Sequence, residues 1–205
     1  LPHKQQSLKV TIITVVYNAE QFLRDCIQSV LAQDYADLEY ILIDGKSTDA
    51  SFEIAKSYGN DISVLISEPD KGMYDALNKG IAMATGDVIG ILNADDILAN
   101  SGVITEVAKV FQEPSVEAVY GDLNYVAQND VAKVQRKWRS APSTPKDLAL
   151  GWMPAHPTLY IRSAHFKTYG PYKLNYGSAA DYELMLRYGY THKMNTRYLP
   201  LLMVN

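Results

Sequence analysis

The chain has 205 residues, 47% of them hydrophobic, and a formal net charge of −4. Its length supports one sizeable buried core, and its acidic balance excludes a chain-wide basic footprint for nucleic acid or an anionic membrane. The lone cysteine, Cys26, excludes an internal disulfide and a thiolate zinc cluster, which suits a reducing compartment.

Residues 1–7 lack the apolar run of a signal peptide, and nowhere do eighteen apolar residues follow one another. The expectation is a cytoplasmic protein, compatible with peripheral attachment at the inner face of the cell membrane. Residues 10–16 form a β-branched run that predicts a strand. Residues 18–33 repeat apolar side chains at helical spacing through Phe22, Cys26, Ile27 and Val30, and 40–43 are apolar again. The rhythm continues with a helix from Asp49 to near Gly59, a strand at 62–66, a helix over 72–84 closed by Gly86, and a strand at 88–92. Such alternation predicts an α/β fold, a Rossmann-like and mostly parallel sheet flanked by helices.

Ligands bind beyond the carboxyl ends of strands in such a sheet. Polar residues follow each predicted strand: Tyr17 and Asn18, then Asp44, then Glu68 and Asp70, then Asn93, Asp95 and Asp96. After about residue 115 come strand-like stretches at 118–120 and 123–126, a Lys/Arg-containing segment at 133–139, and a capping box at Thr144–Asp147 with proline at the first helical position. No Gly/Ser/Pro-rich linker divides the chain. The expectation is therefore one domain, with residues 8–115 as a nucleotide-binding half and 116–205 as a mixed acceptor-side lobe.

The run from Ile91 to Asp96 carries an apolar strand directly into two adjacent carboxylates. A hard divalent cation takes oxygen ligands and can bridge them to a diphosphate. The same residues also read as an ordinary strand-to-loop turn. Asp44 could accept a hydrogen bond from a base or ribose, and Gly45 allows close backbone approach. Asp49 reads as a helix cap, and Asn18 with Gln21 as a capping pair. Lys71, before a helix start, could face phosphate or simply be solvated. Ser178 and Asp181 form a second capping-box pattern, yet Asp181 at a helix start could equally serve as a base. His156, between Pro154 and Pro157, lies on a constrained loop. Neither a dinucleotide fingerprint nor a P-loop is present.

Taken together, these residues resemble the family 2 inverting glycosyltransferases of the GT-A fold. The match runs through Val15-Val16-Tyr17-Asn18, Ile43-Asp44-Gly45-Lys46-Ser47-Thr48-Asp49, Asn78-Lys79-Gly80, Ala84-Thr85-Gly86-Asp87, Leu92-Asn93-Ala94-Asp95-Asp96 and Ala180-Asp181-Tyr182-Glu183-Leu184. The stretch from Glu68 to Ala76 looks more like the bacterial branch that builds exopolysaccharide, capsule or lipopolysaccharide. The resemblance implies a nucleotide diphosphate sugar donor, Mn²⁺ or Mg²⁺ as cofactor, and a saccharide or lipid-linked acceptor. It places Asp44 at the nucleobase and Asp95 with Asp96 at the ribose and metal. Thr14, Tyr17, Asn18, Lys71, Asn78 and Asn93 complete the donor side, Asp181 is the base, and His156 stands on the acceptor side. Asn93 replaces the usual first aspartate of the D-x-D motif, and Val16 a common proline. Relatives continue past the position of Asn205 with a glycine-containing segment, which implies a longer acceptor side. Two other readings remain open. A sugar-phosphate nucleotidyltransferase would need a glycine-rich loop where Tyr17-Asn18-Ala19-Glu20 stands, and a non-catalytic sugar-nucleotide-binding module would need no base.

Overall fold

Seven apolar or β-branched residues in succession make β1 (Val10–Val16), and every one is buried because both faces of the strand are covered. β1 pairs in parallel with β2 (Leu38–Asp44) on one side and β4 (Val88–Ile91) on the other, and β3 (Val64–Ser67) adds in parallel outside β2. The computed structural model describes residues 8–128 and 130–205, so the reading of residues 1–7 lies outside the described residues.

Pleating sends alternate β1 side chains into two different cores. Val10, Ile12 and Val16 join a cluster that includes Leu23, Cys26, Ile27 and Val30 of α1 (Leu23–Leu31), with Ile54 of α2 (Ser51–Lys56) and Val107 of α4 (Val103–Val110). Ile13 and Val15 join a second cluster with Ala76 and Leu77 of α3 (Met73–Met83).

The sheet does not stop at residue 115. Beyond β4 it continues through β7 (Tyr160–Arg162), then β5 (Ala118–Ala127), then β6 (Asp130–Trp138), with the last three pairings antiparallel. β8 (Thr196–Val204) pairs in parallel with β5. The two predicted strands at 118–126 are thus one strand. Gly121 does not break it, because a side chain there would strike Met203 of β8; the glycine permits close packing. α5 (Pro145–Ala149) carries the expected capping box at Thr144 and Asp147. α6 (Ser163–Tyr169) and α7 (Ala180–Met185) pack on the Ile13 side of the sheet through Phe166 and Leu184. α4, α6, β7 and β8 were not apparent in the local sequence pattern.

The predicted helix over 49–59 is shorter, ending at Lys56 before a 3₁₀ turn at Gly59–Asp61, where Gly59 has a φ of +56°. Among the described residues, no helix is long and apolar enough to cross a membrane.

Glu39 ties the other end of the sheet together. It is a buried carboxylate on β2 that accepts bonds from Lys9 Nζ at 3.0 Å, Thr11 Oγ1 at 2.6 Å and the Thr85 amide at 2.8 Å. Burial alone would raise its pKa, but the bonds from Thr11, Thr85 and Lys9 together outweigh burial and hold it at about 2. Because the folded value lies below the unfolded one, the stabilisation is complete above pH 5 and disappears as pH falls from there toward 2. Urea unfolding of Glu39→Gln should therefore show lower stability than wild type at pH 7, with the difference shrinking toward pH 2.5. A difference independent of pH would refute this account.

Candidate functional site

β1, β2 and β4 end at one edge of the sheet, and the loops beyond them are stapled to one another. The Asn18 side-chain carbonyl accepts the Thr48 amide at 2.8 Å, and the Asn18 main-chain amide donates to Ser47 Oγ at 2.9 Å. Asn18 has a φ of +52°, a conformation asparagine tolerates better than most residues. Ala19 N donates to Ser51 Oγ, and Glu20 N to Asp49 Oδ2. The Asn18/Gln21 capping pair is therefore not formed. α1 starts only at Leu23, and Asn18 instead holds the β1 loop against the β2 loop.

Two cavities open over these strand ends. One, of about 820 Å³, is bounded by Tyr17, Asn18, Gly45, Asp70 and Met73. The other, of about 700 Å³, lies toward the second half of the chain and includes Asp96, His156 and Asp181 in its wall. Phe22, Asn93 and Asp95 line both, so the two are lobes of one cleft that meet at Asp95.

Asp95 is exposed at this junction, whereas Asp96 is mostly buried and accepts Asn93 Nδ2 at 2.7 Å. Burial, then the neighbouring Asp95 charge, raise the Asp96 carboxyl to about 6. The Asn93 side-chain oxygen is buried without a partner. Beneath the turn, Cys26 Sγ donates to the Asn93 carbonyl at 3.3 Å, and burial pushes this thiol up to about 12, so it is an inert support. Adjacent carboxylates with one raised pKa are a site short of positive charge. Among the described residues, no group of three or more His, Cys, Asp or Glu side chains could hold a metal. A Mg²⁺-type ion fits all the same, because such ions are commonly held by one or two carboxylates together with substrate phosphate oxygens.

On the second lobe, His156 opens a 3₁₀ turn and its Nε2 lies 2.8 Å from the Tyr172 hydroxyl. Burial lowers the His156 pKa while the Asp181 charge opposes it, so the imidazole is neutral at pH 7. The Tyr74 ring is tilted against those of His156 and Tyr172, at 57° and 35°, and burial followed by the Asp181 charge raises its phenol to about 12. The Ser178/Asp181 capping box does not form. α7 starts at Ala180 with no side-chain cap, and Asp181 Oδ1 accepts the amide of its own neighbour, Tyr182, at 2.7 Å. Glu183 is tied to Arg187 and Lys173, both at 2.9 Å, and lines neither lobe.

Four expected donor residues do not line the first lobe. Thr14 is fully buried and its hydroxyl accepts Tyr40 OH at 3.1 Å. Asp44 is fully buried as well, its carboxylate accepting the Ser47 amide and Ser67 Oγ. Lys71 lines neither lobe; only its main-chain amide is engaged, donating to Asp75. Asn78 uses both ends of its amide, each at 2.9 Å, to clamp the backbone of Tyr172. Phe22 and Met73 join the cleft without any signal in sequence beyond apolar periodicity. Asp70 faces Gly45 so closely that a Cβ there would sit 2.5 Å from Asp70 Oδ2.

The family model described as Glycosyl transferase family 2 matches residues 11–172. The chain belongs to glycosyltransferase family 2. A PGL/p-HBAD biosynthesis glycosyltransferase of Mycobacterium tuberculosis is 30% identical over 200 residues, 95% of this chain and 75% of its own. Glycosyltransferase GlyG of Streptococcus pneumoniae is 32% identical over 124 residues, 59% of this chain and 41% of its own. A 1–349 fragment of S. aureus TarS in complex with UDP-GlcNAc superposes with a TM-score of 0.74 at 18% identity, over 96% of this chain and 58% of that one. Mannosyltransferase PcManGT from Pyrobaculum calidifontis, in complex with GDP-Man and Mn²⁺, gives a TM-score of 0.71 at 20% identity, over 97% and 56%. The fold is GT-A. The chain spans less than three fifths of these two structures.

In this glycosyltransferase-family chain, Asp96 makes a checkable demand on stability. Its folded pKa lies above the unfolded value near 3.9, so its cost is fully present above pH 6 and is relieved as pH falls toward 4. In chelator, Asp96→Asn should be more stable than wild type at pH 7.5 by on the order of 2 kcal/mol. The two curves should converge by pH 4.5 in denaturant titrations; equal stability at pH 7.5 would show that the carboxylate is not strained.

Proposed function

We propose that this chain transfers a glycosyl group from a nucleotide diphosphate sugar to an acceptor hydroxyl, with inversion and with Mn²⁺ or Mg²⁺ as cofactor. The observation that carries this reading is the shared position of Asp95, which lines both lobes, while Asp181 lines only the second. A donor in the first lobe would present its diphosphate at Asp95 and its anomeric carbon toward the second lobe, where an acceptor would meet a carboxylate. Residues 8–115 would then be the donor half and 116–205 the acceptor half of one catalytic domain.

Asp181 would take the proton of the attacking hydroxyl, and the cleft would hold that oxygen in line with the leaving diphosphate. His156 is neutral and fixed by Tyr172, so it can orient the acceptor without competing for the role of anion. Asp95, with Asp96 behind it, would hold the divalent ion, which supplies Lewis-acid neutralisation of the departing phosphate charge. Tyr17, 66% exposed over the first lobe, offers a face for a nucleobase. Asp70 lines that lobe and is better placed than the buried Asp44 to bond a base or ribose. The GDP-Man and Mn²⁺ bound to PcManGT, and the UDP-GlcNAc bound to TarS, support a sugar-nucleotide donor. The M. tuberculosis relative, named for PGL/p-HBAD biosynthesis, supports a biosynthetic role in cell-surface glycan assembly. A saccharide or lipid-linked acceptor fits that setting.

Calorimetry with UDP and GDP sugars should give binding that requires Mn²⁺ or Mg²⁺ and weakens at least tenfold in Asp95→Ala. Equal affinity in excess chelator would remove the metal from this mechanism.

Asp181→Asn keeps an acceptor for the Tyr182 amide and should melt within a few degrees of wild type. Turnover should fall roughly 10²–10⁴-fold while donor affinity stays near wild type. Near-normal turnover in the folded variant would transfer the base role to His156, since Glu183 is held in ion pairs outside the cleft.

A further inference from the structure

The Lys/Arg-containing segment of the second half takes no part in the transfer chemistry. Residues 133–139 hold four cations in seven positions, Lys133, Arg136, Lys137 and Arg139, and no carboxylate. Three of them lie on β6, the outermost strand of the sheet beyond β5, and eight of its nine residues are exposed. Arg139 is neutralised in part by Asp122 at 3.6 Å. The Arg136 guanidinium lies 5.6 Å from the Tyr125 ring and 5.3 Å from the Trp138 ring, contacts that hold it in place without cancelling its charge. Among the described residues, Lys133 and Lys137 have no ion-pair partner. The same strand leaves Val131 and Val134 uncovered, Val131 by 56%. Arg136 pairs with Tyr125 and Lys137 with Asn124, so neighbouring cations lie on alternate faces of the strand. A ligand on one face would meet only some of them, whereas a surface that meets β6 edge-on meets them all.

Lysines on an edge strand guard a sheet against pairing with another chain. That guard gives no reason to leave two valines open among them, since exposed aliphatic groups add to the hazard. Cations interleaved with exposed aliphatic side chains match a different surface. An anionic bilayer attracts basic side chains within a Debye length, and its headgroup boundary takes up apolar ones. Nucleic acid would satisfy the cations alone, because its phosphate backbone offers valine no apolar phase. We propose that the outer edge of the β5–β6 hairpin docks on an anionic lipid bilayer, with Lys133, Arg136 and Lys137 at the lipid phosphates and Val131 and Val134 at the headgroup boundary. The charge of the rest of the chain sets the orientation. Without the four cations the formal net charge of −4 would be −8, so the remaining surface is on balance repelled. Val126 and Val131 of the hairpin also line the second lobe, so docking puts the mouth of that lobe at the membrane surface. The proposal goes beyond the transfer reaction and does not depend on it.

Flotation of the full chain with vesicles tests it, using phosphatidylcholine alone and phosphatidylcholine with phosphatidylglycerol in equal parts. The chain should float with the anionic vesicles at low salt, stay behind with the neutral ones, and be released by about 0.5 M NaCl. Lys133→Glu combined with Lys137→Glu should weaken partitioning roughly tenfold or more, and Val131→Ser combined with Val134→Ser about threefold. Lys56→Glu combined with Lys109→Glu makes the same change in net charge on α2 and α4, and should leave partitioning within about threefold of wild type. All six positions are exposed, so each variant should melt with wild type. Nucleotide affinity in Mn²⁺, measured in parallel, should stay within about twofold in every variant. No flotation with anionic vesicles, equal flotation with neutral ones, or an equal loss in the Lys56 and Lys109 control would each overturn the docking surface. Binding of single-stranded DNA without binding of vesicles would also overturn it, in favour of a polyanion site. Flotation that holds while nucleotide binding fails would leave the docking surface standing and remove the donor reading alone.

Discussion

The parallel pairing of β1 between β2 and β4 is the constraint on which the rest of the structure depends. Val16 lies opposite Asp44, Asp44 opposite Ser67, and Ile13 opposite Ile91. This register brings three or four chain segments out of the sheet at one edge within reach of each other. A slip of one residue would exchange the two cores, because alternate β1 side chains belong to different clusters. Cleft and core are therefore set by the same pairing.

Exit at a common edge creates a polar problem, since each loop carries backbone groups with no strand partner. Much of the motif content answers that problem before any ligand is considered. Asn18, Ser47, Asp49 and Ser51 bond the β1 and β2 loops to each other, and Asp44 closes its own turn and reaches Ser67 on β3. What faces the cleft is a smaller set: Tyr17 and Asp70 in the first lobe, Asp95 where the lobes meet, and Asp181 and His156 in the second. The loops are held rigidly so that these few groups keep their spacing.

The second lobe is attached to this frame by contacts of long sequence separation. Asn78 on α3 clamps the backbone of Tyr172, whose hydroxyl fixes His156. Tyr74, one turn earlier on α3, donates to the carbonyl of Ser178 just before the start of α7. One helix, α3, thus positions both His156 and the start of the helix that carries Asp181, and a shift of α3 would move them relative to Asp95.

The amino-acid sequence by itself determined the β-α-β rhythm, the places where strands end in polar residues, and the family, because apolar periodicity and short contiguous motifs are local properties of the chain. It located Asp95, Asp96, His156 and Asp181, which the fold brings to one cleft. It did not separate Asp44 and Thr14, whose side chains face the interior, from Tyr17 and Asp70, whose side chains face the cleft, since orientation at a strand end is set by what packs above it. Nor did it give α4, β7 or β8, whose existence depends on burial against strands distant in sequence. The role of Asn78 lay equally out of reach: its partner is 94 residues away. Two caps with the same spelling had opposite outcomes: Thr144 and Asp147 close a box, while Ser178 and Asp181 do not, because α7 begins two residues later, at Ala180, where Leu184 and Met185 anchor it to the core. Only the tertiary structure decided that Asp181 would spend its carboxylate at the cleft, for packing against the sheet fixes where that helix begins.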